Sequence, residues 1–402
     1  MKLNLNKFLF SVSFALDLAE SQIVVVSNLH SKRVAFISLQ IGNILGFSDE
    51  EQFDLYAYAL MHDNGLIESY TNLKRKNITN KDMTIDENLH DHCIIGERNI
   101  KHFPFITKQE NIILYHHERY DGKGFFGKAG DDIPLMSQVL YFANMLDSTF
   151  DLSNIQLLTK IQIETYVKEE ENSRFSPRIV AAFMELSKSF SLWGSLEYFH
   201  MINRPEKLLK NFEIEITIDK FYDMVHIFSN IVDSKSHFTA LHSDELEQKT
   251  KILLNQFGFD EYHKKKVQIA AYLHDIGKLA TPVEILEKPG ALTDIEIFEI
   301  RKHAFFTFMI LDGIDFCPDI LNWAAHHHEK PDGTGYPFGL NTNDLSVESR
   351  IISCLDFYQA LVEKRPYREA LPHEKAIEII IKTLADNDMD IKIIKMIDKV
   401  FQ

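Results

Sequence analysis

The chain carries one ordered set of histidines and aspartates twice. In the later half it runs His242, His274-Asp275, His303, His327-His328 and Asp356; in the earlier half it runs His30, His62-Asp63, His92, His116-His117 and Asp147. Matching members stand 209 to 212 residues apart. Seven side chains of metal-ligand type, in one order and at nearly constant offset, mark an internal duplication rather than coincidence. A chain built this way must fold as two similar units, each bringing residues distant in sequence to one place. Imidazole nitrogens and carboxylates suit a transition metal, and one carboxylate can reach two ions.

The periodicity around these residues is helical. Phe53, Leu55, Tyr56, Tyr58, Ala59 and Leu60 lead into His62, and Val267, Ile269, Ala270 and Leu273 lead into His274. Period-two alternation is clear once, from Phe212 to Ile218, and predicts a short strand there. The expected fold class is all-α, two tandem helical-bundle domains whose ligands come from facing helices. The 402 residues suffice for two domains. Residues 1–195 are expected to form the first, 196–211 a linker, and 212–402 the second.

A net charge of −16 argues against binding a nucleic-acid polymer, because a phosphate backbone would be repelled. A small anionic substrate would need local cations, which metals and a few Lys and Arg supply. Cys93, Cys317 and Cys354 are scattered in apolar surroundings and read as reduced core residues, which points to the cytoplasm. The apolar run Phe8 to Leu16 has core-helix spacing, with Asp17 and Glu20 closing it. No uncharged apolar stretch is long enough to span a membrane.

Two longer motifs surround the later ligands. His274-Asp275 is followed by Ile276-Gly277-Lys278, and His327-His328-Glu329 opens a stretch that ends Asp332-Gly333-Thr334-Gly335-Tyr336-Pro337. The glycines and proline require a turn after the paired histidines. His326 extends the histidine run, but Tyr115 holds its place in the first copy, so it is left outside the ligand set. Phe305, Phe306 and Phe308, near His303, are expected in the core. With Asp356 and the later Arg365-Pro366-Tyr367-Arg368, the second copy resembles the HD-GYP phosphodiesterases of the HD superfamily over nearly its whole length.

The resemblance implies two tandem HD-type domains and hydrolysis of a cyclic dinucleotide, either cyclic di-GMP or 3′3′-cyclic GMP-AMP. It implies a site of two or three divalent transition-metal ions, iron or manganese first, with nickel and zinc as alternatives. Their ligands would be His242, His274, Asp275, His303, His327, His328 and Asp356, with Asp275 bridging. Lys278 would act with Asp275 in catalysis, stabilising charge on the phosphate or on the departing oxygen. Arg365 and Arg368 would clamp phosphate, and Tyr336 would wall the substrate pocket. Members with a third metal have a glutamate four residues before the first histidine; Phe238 stands there, so two metals are expected. Thr307 replaces a glycine usual in the family and is expected to narrow the site.

The first copy keeps the ligand types His30, His62, Asp63, His92, His116, His117 and Asp147, but Leu66 replaces the lysine. Gly124-Phe125-Phe126 replaces the Gly-Tyr-Pro triplet, and Gln156 stands at the phosphate-clamp position. A degenerate domain is expected, retaining a second metal site for stability and serving in packing, regulation or a homodimer. Two other functions fit parts of the pattern: a nucleotide phosphohydrolase acting on dNTPs or guanosine tetraphosphate, and a non-catalytic dinucleotide sensor. The Gly-Tyr-Pro loop counts against the first, and Lys278 with Arg365 against the second.

Overall fold

The computed structural model describes residues 2–23, 29–75, 90–199, 209–210, 213–236, 242–312, 318–363, 369–384 and 388–402. Phe212, Phe238, Cys317, Arg365 and Arg368 lie outside the described residues. The chain divides into two compact units between Glu215 and Ile216. The described parts of 196–211 therefore belong with the first unit.

The fold is all-α. Helices of the first unit are α1 (Leu5–Glu20), α2 (His30–Leu45), α3 (Asp49–Leu60), α4 (Leu66–Arg75), α5 (Asp91–Ile100), α6 (Leu135–Thr149), α7 (Leu157–Glu169), α8 (Pro177–Leu186) and α9 (Phe190–Glu197). Those of the second are α10 (Ile218–Ser234), α11 (His242–Leu254), α12 (Glu261–Leu273), α13 (Val283–Leu286), α14 (Asp294–Asp312), α15 (Pro318–Ala325), α16 (Val347–Val362), α17 (His373–Leu384) and α18 (Asp388–Val400). A 3₁₀ turn, Ile276–Ala280, follows α12. The expected strand is present in short form: β2 (Ile214–Glu215) pairs antiparallel with β1 (Lys2–Leu3). Among the described residues, no helix is long and apolar enough to cross a membrane.

In the first unit α2 packs against α3, α6 and α8, burying Val34, Ala35 and Ile41 of α2 with Val139, Leu140 and Phe142 of α6. Gly46, at φ 80°, ends α2 in the left-handed conformation that glycine adopts without penalty. Ser48 then opens α3 through a capping box with Glu51, at 3.2 and 2.8 Å. In the second unit α12 packs on α10, α11 and α15, and α14 on the 3₁₀ turn and α15. Asp260 caps α12, accepting from His263 N at 2.8 Å.

The start of each first-ligand helix is fixed alike. Asp233 of α10 accepts from Ser243 N at 2.9 Å and from its hydroxyl at 3.0 Å, which anchors His242. Asp17 of α1 accepts from Ser31 N at 3.0 Å and from its hydroxyl, which anchors His30. Asp17 and Glu20, expected to close the apolar run, are instead buried on the inner side of α1. Phe305 also departs from expectation: it is 44% exposed, and it meets Phe308 and Phe338 at a rim rather than in the core.

Candidate metal centre

In the second unit the seven expected ligands come from five places: the start of α11, the end of α12, the middle of α14, the end of α15 and the middle of α16. A shared device aims three of the imidazoles. His274, His303 and His327 each turn Nδ1 to the carbonyl three residues back, on Ala271, Ile300 and Ala324, at 2.7, 2.5 and 2.6 Å. That bond holds the Nδ1–H tautomer and leaves the Nε2 lone pair facing inward.

The inward atoms fall into groups. His242, His274 and Asp356 form one, and His303, His327 and His328 another. Asp275 stands between them. Its Oδ2 lies 3.1 Å from His274 Nε2 and 3.8 Å from His242 Nε2; its Oδ1 lies 3.4 Å from His303 Nε2 and 3.8 Å from His327 Nε2. Asp356 Oδ1 is 3.3 Å from His242 Nε2.

These residues fit metal ions on two observations. Nε2 of His242, Nε2 of His274 and Oδ1 of Asp275 are buried and meet no hydrogen-bond partner, a costly arrangement that a cation would relieve. The protonation states of four ligands also suit coordination, whereas His242, against its burial, is held up at about 9 by Asp356 and Glu363, so an ion there would displace its proton. Burial pushes His303 down to about 4 and His328 to about 3, so both are neutral. Burial opposes ionisation of Asp275 and Asp356, yet His274 and Lys278 beside the first, and His242 and His274 beside the second, hold both well below the usual carboxylate range. Neutral imidazole and ionised carboxylate are the forms that bind metal.

Glycine permits the close approach. A Cβ on Gly277 would meet His303 O at 2.0 Å, so only glycine lets the turn after Asp275 press against α14. Gly65 makes the same approach to His92 O in the first unit. Thr307, at the place of the family glycine, latches this turn: its hydroxyl donates to His274 O at 2.9 Å and accepts from Gly277 N at 3.1 Å. Lys278, on the 3₁₀ turn, pairs with Asp275 Oδ2. The Lys235 amine ties that turn down from α10, donating to Leu279 O at 2.6 Å and Thr281 O at 2.7 Å.

The loop after His328 is organised by Glu329. Buried, it accepts from Phe338 N at 2.6 Å, Gly339 N at 3.2 Å and Leu340 N at 2.9 Å. This folds Tyr336 back onto His328, with ring centroids 4.8 Å apart, and the Arg301 guanidinium lies 5.2 Å over the same tyrosine. His326 packs on Phe338 at 5.8 Å and joins none of the ligand groups.

The first unit repeats much of this. Asp63, His92, His116 and His117 form one group, and His30, His62 and Asp63 another. Asp63 Oδ1 lies 3.3 Å from His92 Nε2 and 3.4 Å from His116 Nε2, and Oδ2 lies 3.0 Å from His62 Nε2. Glu118 accepts from Phe126 N at 2.7 Å and Lys128 N at 2.6 Å, as Glu329 does in its loop. Leu66 is buried where Lys278 stands, and Phe125 packs 5.1 Å from His117 where Tyr336 meets His328. Cys93, expected as a plain core thiol, lies 3.5 Å from His92 Nε2. Asp147 alone departs from the expected set: it joins none of these groups and instead holds Arg33 and His30 Nδ1.

The sequence profile of the HD domain matches residues 16–178 and again 226–393. The chain belongs to the HD-domain family. It is 26% identical to 3′3′-cGAMP-specific phosphodiesterase 1 of Vibrio cholerae over 402 residues, covering 98% of this chain and 91% of the relative. The 3′3′-cGAMP-specific phosphodiesterase 3 of the same organism is 28% identical, covering 94% and 91%. A cyclic di-GMP phosphodiesterase of Thermotoga maritima is 32% identical over 45% of this chain and 53% of its own length. A crystal structure of a cyclic GMP-AMP specific phosphodiesterase from V. cholerae superposes with a TM-score of 0.69 at 24% identity, over 98% of this chain and 97% of that one, a likeness of fold.

Within the HD frame, sequence reading missed Glu363, Arg301 and Lys235. Glu363 faces His242 Nδ1, with both oxygens at 3.3 Å, from two helical turns past Asp356. Its seven-residue spacing from Asp356 was the available signal. Arg301, two residues before His303, had no motif to mark it.

Proposed function

We propose that the second HD copy is a metal-dependent phosphodiesterase that hydrolyses a cyclic dinucleotide, with 3′3′-cyclic GMP-AMP as its substrate. The observation that carries this is the placement of Asp275. Its two oxygens divide between two groups of inward-facing imidazoles, and Lys278 lies against the same carboxylate. His242, His274 and Asp356 would hold one ion and His303, His327 and His328 the other, with Asp275 shared. Histidine and carboxylate donors suit iron or manganese, with supply deciding between them. Bound there, the ions would activate water and neutralise phosphate oxygens.

The remaining work falls to side chains. Glu363 orients His242 through Nδ1. Water attacks phosphorus, the bond to the 3′ oxygen breaks, and that oxygen takes a proton. The Lys278 amine, one turn past His274, donates to the departing oxygen or to a phosphate oxygen. Tyr336, braced by Arg301 and His328, walls the pocket against a base. Arg365 and Arg368, placed by sequence, serve as phosphate clamps. Support for cyclic GMP-AMP comes from the two relatives matched over more than nine-tenths of the chain, both specific for it. The first copy keeps a metal frame, but Leu66 and Phe125 stand where the second copy has Lys278 and Tyr336, so it is read as non-catalytic.

The test is purified chain with manganese or iron, incubated with cyclic GMP-AMP, cyclic di-GMP, dNTPs and guanosine tetraphosphate, with products resolved by chromatography. Asp275→Ala should abolish turnover and Asp63→Ala should leave most of it. Loss of turnover in a folded Asp63→Ala chain would overturn this division of labour. A metal-loaded chain that cleaves no cyclic dinucleotide would overturn the function itself.

A further inference from the structure

The two copies support their first histidine with different carboxylates. In the second copy His242 turns Nδ1 to Glu363, at 3.3 Å, and Nε2 to the ligand Asp356, also at 3.3 Å. In the first copy His30 turns Nδ1 to Asp147, at 2.6 Å, and its Nε2 faces Glu20, 3.9 Å away. Asp147 therefore sits on the supporting side of the ring, the side that Glu363 takes in the other copy.

The surrounding substitutions agree with this. Arg33 grips Asp147 with two nitrogens, Nε to Oδ1 at 2.5 Å and Nη2 to Oδ2 at 3.1 Å. A planar guanidinium fixes a carboxylate in this two-point way. At the offset of the paired histidines, Arg33 corresponds to Glu245, which is paired with Lys249 at 3.0 Å instead. At the offset of the paired aspartates, Glu363 corresponds to Asn154, so the first copy lacks that carboxylate. Counting from the anchoring aspartates, Glu20 corresponds to Ser236. Glu20 is buried, 5% exposed, and faces both His30 and Asp63. His62 Nε2, fully buried in the same corner, meets no hydrogen-bond partner.

We propose that two carboxylates have exchanged roles in the first copy: Glu20 binds a divalent metal ion with His30, His62 and Asp63, while Asp147, clamped by Arg33, orients His30. The donor set that results, two imidazoles and two carboxylates, suits a first-row divalent ion. Two buried carboxylates side by side otherwise repel, and a dication between them removes that cost. The second ion of the copy lies on Asp63, His92, His116 and His117, whose ligand atoms are already grouped. This goes beyond the proposed reaction and does not rest on it, because it concerns ions held by the copy read as non-catalytic.

The experiment counts ions. Full-length chain is stripped with chelator, reloaded with manganese alone at saturation, and measured by elemental analysis. Glu20→Gln, nearly isosteric, should lower the count by one ion per chain. Asp147→Asn should keep the full count at saturation, with about 10- to 100-fold weaker affinity for one ion, the size expected for a supporting group. Asp63→Ala should lose two ions. An unchanged count in Glu20→Gln, or one ion lost at saturation in Asp147→Asn, overturns the exchange. Because only differences from the parent chain are used, failure of the second copy to bind metal would lower the parent count and leave this test readable.

Discussion

Glu329 follows the paired histidines directly, and its place in the motif invites a catalytic role. The structure predicts a structural one. Its carboxylate accepts three backbone N–H groups of the following loop, at 2.6, 3.2 and 2.9 Å, and only 2% of the residue is exposed. Hydrogen bonds to a charged group contribute about 1.5–3 kcal/mol each, and orphaned donors add to the loss. The bonds are only partly buried, so the lower end of each range applies, and Glu329→Ala should cost about 3–5 kcal/mol. Glu329→Gln keeps one acceptor oxygen but turns an N–H₂ toward a backbone donor, which should cost about 1–3 kcal/mol. The two tryptophans, Trp193 and Trp323, lie in different units. A Trp193→Phe background therefore makes denaturant unfolding by fluorescence a report on the second unit. Both variants should lower its midpoint, the alanine by more. Glu118→Ala should destabilise the first unit comparably, read through Trp193 in a Trp323→Phe chain. If Glu329→Ala and Glu329→Gln unfold at the parent midpoint yet lose all turnover, the carboxylate acts in the chemistry and this account of it is wrong.

Lys278→Leu installs the residue of the first copy. It should lower kcat by about 100- to 1000-fold with the metal count unchanged, as loss of one charge-stabilising donor does; near-normal kcat would remove Lys278 from the reaction. Burial pushes the Lys235 amine down to about 7 from 10.5. Between those values the unfolded chain carries the extra proton, so stability should rise with pH by at most about 1.4 kcal/mol per unit. Below about 7 both states are protonated and this gradient vanishes. Lys235→Met should abolish the gradient in denaturant titrations at pH 7, 8 and 9, and equal slopes in the two proteins would refute the assignment.

The proposed exchange of carboxylates would set the two copies further apart. At the places of Lys278 and Tyr336 the first copy has a buried Leu66 and Phe125, side chains that pack rather than contact phosphate. In the proposed exchange the ligands of the first copy come from α1, α2, α5 and the turns after α3 and before α6, with α6 supporting through Asp147, and ions held there would tie these elements together from within.

Sequence alone determined the duplication, the all-α class, and which residue types are brought to each centre. Ligand chemistry needs particular side chains, and helical periodicity needs particular spacings, so both leave marks in linear order. The HD and Gly-Tyr-Pro motifs were legible for the same reason. Gly277 and Gly335 are needed where backbones approach within van der Waals distance, and their places in the sequence record that. Only the tertiary structure decided which nitrogen of His30 faces inward, that Asp147 pairs with Arg33, that Glu20 faces His30, and that Glu329 holds a loop. Each of these depends on how a helix is rotated about its axis and on which distant side chain it meets. His30 and Asp147 are 117 residues apart, and nothing local to either one encodes the side from which the other arrives.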